Sequence, residues 1–221
     1  GVAYAAPAKG YKIVENNGTY GIVEDPEYGK VAKVGDACFE TLAQAVAAVE
    51  DGGTITLIAN ETFTKNNRTH NTGTWYDGLY YVGDKSFTID LNGKTVGNAN
   101  GAVNDYLFNF KNDGTKANTI TIKNGTMTSS QASGTWNSYD LCFSNCNYVI
   151  EDVVFEKAIA LEGKNYTLKN VTINETHDYY AMWISAVGQT VNIENLVVNS
   201  EGRGIKIDEE YLAASEVAKV T

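Results

Sequence analysis

Long apolar runs are missing from this sequence. No stretch approaches the roughly 20 residues a membrane-spanning helix needs, and the opening GVAYAAPAKG has no extended apolar core of the kind a signal peptide carries. A soluble chain is expected, with no membrane insertion. Basic residues are also scarce, 17 against 27 acidic ones for a formal net charge of -10. Without a Lys/Arg stripe there is nothing to neutralise phosphates, which argues against nucleic acid and against anionic lipid as partners.

Cysteine and histidine are nearly absent. Cys38, Cys142 and Cys146 do not make a disulfide framework. In LCFSNC the last two lie four residues apart, about 13 Å on an extended strand, beyond bridging reach unless Ser144-Asn145 forms a turn. Three reduced, partly buried thiols are the simpler reading. His70 and His177 form no His/Cys cluster at ligand spacing, and Asp-rich calcium loops are missing, so no metal is expected. No glycine-rich phosphate loop follows a strand and no nucleophile elbow occurs, so no cofactor is expected either.

What is abundant is Asn, Thr, Val and Ile, which suit strands and turns better than helices, and the class is read as all-β. At 221 residues the chain is long enough for one domain with a sizeable core plus a small appendage. Residues 11–25, YKIVENNGTYGIVED, place two alternating runs around Asn-Asn-Gly and read as a β-hairpin. A lone two-stranded hairpin is marginal in water, so this one is expected to pack on something. Residues 1–30 are taken as this hairpin linker and 31–221 as the main domain. One amphipathic helix is expected at about 41–51, with a Thr41/Gln44 capping box, apolar Leu42, Ala45, Val46 and Val49, and Gly52-Gly53 to end it.

After Thr54 one phrase recurs: FTIDLNGKTV, ITIKNGTMT, YVIEDVVFE, YTLKNVTIN and VNIENLVVN each carry an alternating strand, an Asn or Asp, and a second short strand. Alignment stacks Asn124, Asp152, Asn170 and Asn195 at intervals of 28, 18 and 25 residues, and in the first copy Asn92 is displaced by one. A third short strand precedes each phrase: LYYV at 79, YLFNF at 106, LCFS at 141, AIAL at 158, AMWI at 181 and GIKI at 204. Variable spacing around a fixed three-strand core predicts a solenoid, a parallel β-helix of about six short turns over 54–208. Asn tolerates the left-handed bend, and its amide can reach the next amide one strand spacing away.

The phrases AKVGDACFETLAQAVAAVEDGGTITLIANETF and FTIDLNGKTV resemble the pectin-lyase-like, right-handed parallel β-helix modules of large surface proteins in Gram-positive, often gut-dwelling, bacteria. The hairpin GYKIVENNGTYGIVED resembles the segment that precedes such modules, and the match covers roughly residues 10–208. The resemblance implies an N-terminal capping helix, an extracellular location on the bacterial cell surface and a parent protein of several domains. It is weak for function, since this architecture carries lyases, hydrolases, adhesins and binding modules. The ending EEYLAASEVAKVT reads as a cut inside a longer protein or as a short cap.

For catalysis the sequence offers Asp140, Glu151-Asp152, Asp178 and Asp208-Glu209-Glu210, none framed as a carboxylate pair. Asp152 occupies a ladder slot, Glu151 alternates with Lys123 and Lys169 on outward positions, and the last run reads as a solvated terminus. Arg203 in GRGIKID faintly resembles an Arg-x-x-Lys pair seen in galacturonases, without the accompanying aspartate and histidine motifs. No catalytic residue is assigned. Seven Asn-x-Thr sequons are attributed to Asn-rich bends followed by Thr-rich strands.

The insertions at 64–78, 97–105, 129–140, 175–180 and 200–203 leave the solenoid at one corner and so line one edge. They carry Trp75, Tyr76, Trp136, Tyr139, Tyr179 and Tyr180, spread over roughly 20 Å at one strand spacing per turn. If Val82, Phe143, Leu161 and Ile184 point inward, Tyr81, Cys142, Ala160 and Trp183 face outward beside that edge. Rigid rings among Ser, Asn and Gly suit recognition surfaces, although each tryptophan can also serve as a plug that holds its loop down. The leading expectation is a non-catalytic ligand-recognition or adhesion module of a bacterial cell-surface protein. It would bind a host or dietary macromolecule, a glycan or a host protein such as immunoglobulin or mucin. A polysaccharide lyase or hydrolase on a β-helix and a structural stalk repeat are the alternatives.

Overall fold

The computed structural model describes residues 6–64, 69–71, 74–76, 78–98, 107–128, 141–161, 164–175, 180–184, 190–207 and 219–220, with backbone alone at 69–71, 74–76, 142–144 and 219–220. It is an all-β structure with a single helix among the described residues. β1 (Tyr11–Asn16) and β2 (Thr19–Glu24) pair antiparallel around Asn17 (φ 51°) and Gly18 (φ 79°), the two left-handed residues that a twist-matched two-residue turn demands. The expected packing partner of this hairpin is not found among the described residues. Among the described residues its sheet holds these two strands alone, and Ile22 is 67% exposed.

β3 (Ala32–Val34) and β4 (Ala37–Phe39) form a second, short antiparallel pair that the sequence reading had not separated out. Helix α1 follows at Leu42–Ala48, one turn shorter than expected at its C-terminal end. The Thr41 side chain accepts from the Gln44 N–H, while Gln44 reaches back to the Glu40 N–H rather than to that of Thr41. The Leu42 N–H, orphaned at the helix start, donates to the buried carboxylate of Glu61, and Lys85 Nζ donates to the Val49 carbonyl at the other end. Val49 is fully buried in an extended conformation, so burial of this β-branched residue ends the helix before Gly52.

The chain then alternates between sheets. β5 (Thr54–Leu57) and β6 (Glu61–Phe63) lead to the antiparallel pair β7 (Thr69–Asn71) and β8 (Thr74–Tyr76), which lies within the 64–78 insertion and was read only as loop. β9 (Leu79–Val82), β10 (Phe87–Asp90), β11 (Thr95–Asn98) and β12 (Phe108–Lys111) follow. Next come β13 (Thr119–Thr128), β14 (Leu141–Ser144), β15 (Asn147–Phe155), β16 (Ile159–Leu161) and β17 (Asn165–Glu175), then β18 (Tyr180–Ile184), β19 (Thr190–Ser200), β20 (Arg203–Ile207) and β21 (Lys219–Val220). In one large sheet β5, β10, β13, β15, β17, β19 and β21 pair parallel in that order, with β3 and β4 antiparallel at the helix end. The third strands form two smaller parallel sheets, β9-β12-β14 and β16-β18-β20.

Register stacks like on like. Ile55, Ile89, Ile122, Ile150, Leu168 and Ile193 make one inward row, and Phe87, Ile120, Tyr148, Tyr166 and Val191 another, with the rings of Tyr148 and Tyr166 stacked 5.1 Å apart. Each inward residue is covered by the strands on either side, and most are fully buried. On the outer face the matching row alternates in sign: Asp90, Lys123, Glu151, Lys169, Glu194. Ion pairs close Lys123 to Asp90 at 3.8 Å and Lys169 to Glu194 at 3.7 Å.

The repeating bend is where the sequence placed it. Asn92, Asn124, Asp152, Asn170 and Asn195 all have φ between 49° and 61°, and the two strands expected around each of the last four are one continuous strand bent at that residue. Asn195 donates to Asn170 at 3.0 Å and Asn170 to Asp152 at 2.8 Å. A carboxylate has no N–H to pass on, and Asn124 turns its amide to Asp90 instead, at 3.1 Å. Parallel rows run Asn165 to Asn147, and Asn199 to Asn174 to Glu156. The sequon asparagines Asn124, Asn165, Asn170 and Asn174 donate their amides to residues of the neighbouring turn.

Candidate functional site

The residues proposed for ligand contact divide three ways. Trp136, Tyr139 and Tyr179 lie outside the described residues, as do Asp140, Asp178 and Asp208-Glu209-Glu210. Trp75 and Tyr76 are placed by their backbone on β8, opposite His70 and Thr69 of β7, and their side chains lie outside the described residues. Tyr81, Tyr180 and Trp183 are described in full.

Tyr81 is a correction. It faces the core rather than solvent: its ring meets Phe87 at 5.2 Å and Phe110 at 6.1 Å, both edge to face, and its hydroxyl accepts from the Lys85 N–H at 3.1 Å. Burial raises its phenol above the ordinary value of 10, so it stays neutral. The outward position belongs to Val82, 40% exposed, because β9 aligns Tyr81 and not Val82 with Phe110 and Phe143. The ring is a packing element of the core.

Tyr180 and Trp183 share two cations that the aromatic pattern alone did not bring to them. Parallel pairing of β18 with β20 sets Tyr180 beside Arg203 and Trp183 beside Lys206. The Lys206 ammonium stands 4.5 Å from the Trp183 ring and 5.7 Å from that of Tyr180. Arg203 lies over the other part of the Tyr180 ring at 5.3 Å and donates to its hydroxyl at 3.4 Å. On the far side Trp183 leans on Ala158 and Ala160, both nearly fully buried. Both rings remain half-buried and Arg203 is exposed, in a chain whose overall charge is strongly negative. The signal that could have found the cations was in the sequence: Arg203-x-x-Lys206 on the next strand, at the register of Tyr180-x-x-Trp183.

Other candidates for chemistry resolve into structure. Glu151 sits in the alternating charge row and Asp152 accepts from Asn170 at a bend. Glu61 is the buried carboxylate at the helix start; burial raises its pKa above 4.5, against the N–H groups of Leu42 and Thr62 that lower it. Cys146 is a buried, unbridged thiol, which leaves no disulfide to Cys142, and burial pushes it to about 11, far from nucleophilic. Asn145 does make the turn in LCFSNC, at φ 61°. A depression by the helix, lined by Lys30, Cys38, Phe39, Glu40 and Gln44, holds one ion pair, Lys30 to Glu40 at 3.0 Å. Among the described residues no three His, Cys, Asp or Glu side chains gather where they could hold a metal ion. Comparison with protein-family models, with curated proteins and with solved structures gave no match.

Proposed function

We propose that the chain is a non-catalytic recognition module, built as a right-handed parallel β-helix of about six turns, that engages a glycan or protein through aromatic rings at one edge. The stacked parallel registers and the recurring left-handed bend support the β-helix reading, and the right hand follows from the strong preference of parallel crossovers. The observation that carries the functional reading is the outer-face cluster of Tyr180, Trp183, Arg203 and Lys206. Two half-buried rings packed with two cations on a sheet present aromatic surface beside an exposed guanidinium at low entropic cost. That suits the face of a sugar ring or a polar protein loop. A place on a bacterial surface protein, with a host or dietary macromolecule such as mucin or immunoglobulin as ligand, rests on the sequence resemblance.

The test is binding of the full chain to a glycan array and to immobilised mucin and immunoglobulin, repeated with Trp183→Ala and with Trp75→Ala/Trp136→Ala. The expected result is retained thermal stability and binding lost in at least one variant. Binding untouched by either variant would place recognition elsewhere, and new reducing ends released from an acidic polysaccharide would replace recognition with catalysis.

A further inference from the structure

Four Asn-Gly pairs occur in the chain, at 17–18, 92–93, 100–101 and 124–125, of which 100–101 lies outside the described residues. Such a pair can cyclise spontaneously: the glycine nitrogen attacks the asparagine side-chain carbonyl carbon, ammonia leaves, and a succinimide forms. Water then opens the ring at either carbonyl to give aspartate or isoaspartate, so water and ammonia balance the step with no other reagent. The reaction needs a free glycine N–H, a mobile side-chain amide and a backbone able to turn. The three described sites differ in how far these needs are met.

At 92–93 the nucleophile is engaged, because the Gly93 N–H donates to the Asn124 carbonyl at 2.7 Å, and the Asn92 amide donates to the Leu57 carbonyl at 3.0 Å. At 124–125 the Asn124 amide donates to Asp90, and Gly125 pairs with Val153 inside the large sheet. There the backbone is pressed so close that a Cβ on Gly125 would lie 2.4 Å from that of Leu91, leaving no room to turn. At 17–18 none of these restraints is present. Both residues are exposed, no atom beyond the chain neighbours lies within 4 Å of where a Gly18 Cβ would stand, and among the described residues neither the Asn17 side chain nor the Gly18 N–H has a hydrogen-bond partner. The turn belongs to a two-stranded sheet whose faces are exposed, which opens at low cost.

We infer that Asn17 is a site of spontaneous modification, where deamidation through a succinimide converts the hairpin tip to aspartate and isoaspartate while Asn92 and Asn124 are protected by the stack. Isoaspartate inserts one carbon into the main chain at a position that requires a left-handed residue. The modified tip would therefore lose its turn geometry and the β1–β2 register, while the stacked strands stay intact.

The experiment ages the full chain at mildly alkaline pH and 37 °C and follows each Asn-Gly peptide by mass spectrometry, with isoaspartyl methyltransferase labelling to detect isoaspartate. Asn17 is expected to gain one dalton on the order of tenfold or more faster than Asn92 or Asn124, the ratio that about 1.4 kcal/mol of opening free energy produces. Unfolding the chain in denaturant should bring the three rates together. Equal rates in the folded chain, faster change at either stacked site, or no change at Asn17 while the unfolded chain deamidates would each overturn the inference.

Discussion

The N-terminal hairpin and the stacked strands are written in the same alphabet, alternating apolar and polar residues around an asparagine with a left-handed backbone. Ile22 in β2 is 67% exposed, whereas Ile150 in β15 is completely buried. Asn17 bends a hairpin paired with no third strand among the described residues; Asn170 bends a chain whose neighbours repeat the bend above and below. The difference is supplied by neighbours, not by local sequence. A strand in a parallel stack is stabilised through contacts on both sides, and each residue's burial depends on residues 18 to 28 positions away.

That contrast can be broken most forcefully in the core. Ile150→Ala should cost about 2–5 kcal/mol in urea unfolding, whereas Ile22→Ala should stay within about 0.5 kcal/mol; comparable losses would show that the hairpin is buried in solution. At the bend, Asn170→Ala removes both ladder hydrogen bonds and forces an unfavourable backbone, for about 2–3 kcal/mol, while Asn170→Gly keeps the backbone and should cost roughly half as much. If the two variants unfold alike, the dihedral contributes nothing.

Glu61 sharpens the comparison at the helix end. Its raised pKa means that the folded chain holds a proton that the unfolded chain has released, so its contribution falls as pH rises above 4.5. Glu61→Gln keeps an acceptor for the Leu42 N–H without the buried charge. The variant should be at least as stable as the parent at neutral pH, and the difference should close as pH falls toward 4.5. A gap that is constant across a pH series of thermal melts would contradict this. The smallest effect is expected on the outer face. Lys169→Glu would put three acidic residues in a row with Glu151 and Glu194, for about 0.5 kcal/mol, largely recovered in high salt.

Much of this was legible because the stack constrains side-chain chemistry directly. A bend that recurs must use residues that tolerate positive φ and bond to their own kind, so Asn124, Asp152, Asn170 and Asn195 declared themselves. Tyr81 did not. In LYYV both tyrosines are amphipathic, alternation alone gives no preferred face, and alignment on Val82 set the strand one residue out; Leu79, fully buried beside Phe108, fixes the true phase. The pair β7–β8 was hidden because its strands sit in a polar insertion with no apolar alternation to flag them. The helix was overrun by a turn because periodicity counts Val49 as helical, while its burial at the start of the stack requires extended backbone. Arg203 and Lys206 became part of the candidate site only when register set them beside Tyr180 and Trp183.

Recognition through the Tyr180–Trp183 face is the claim most directly open to a single measurement. Amide and indole chemical shifts of the isotopically labelled chain should be followed as a ligand from the binding screen is added. The account predicts shifts concentrated at the Trp183 indole and along 180–184 and 203–207, with the stacked amides of β13, β15 and β17 unmoved. Saturable binding whose shifts avoid those two strands would contradict it.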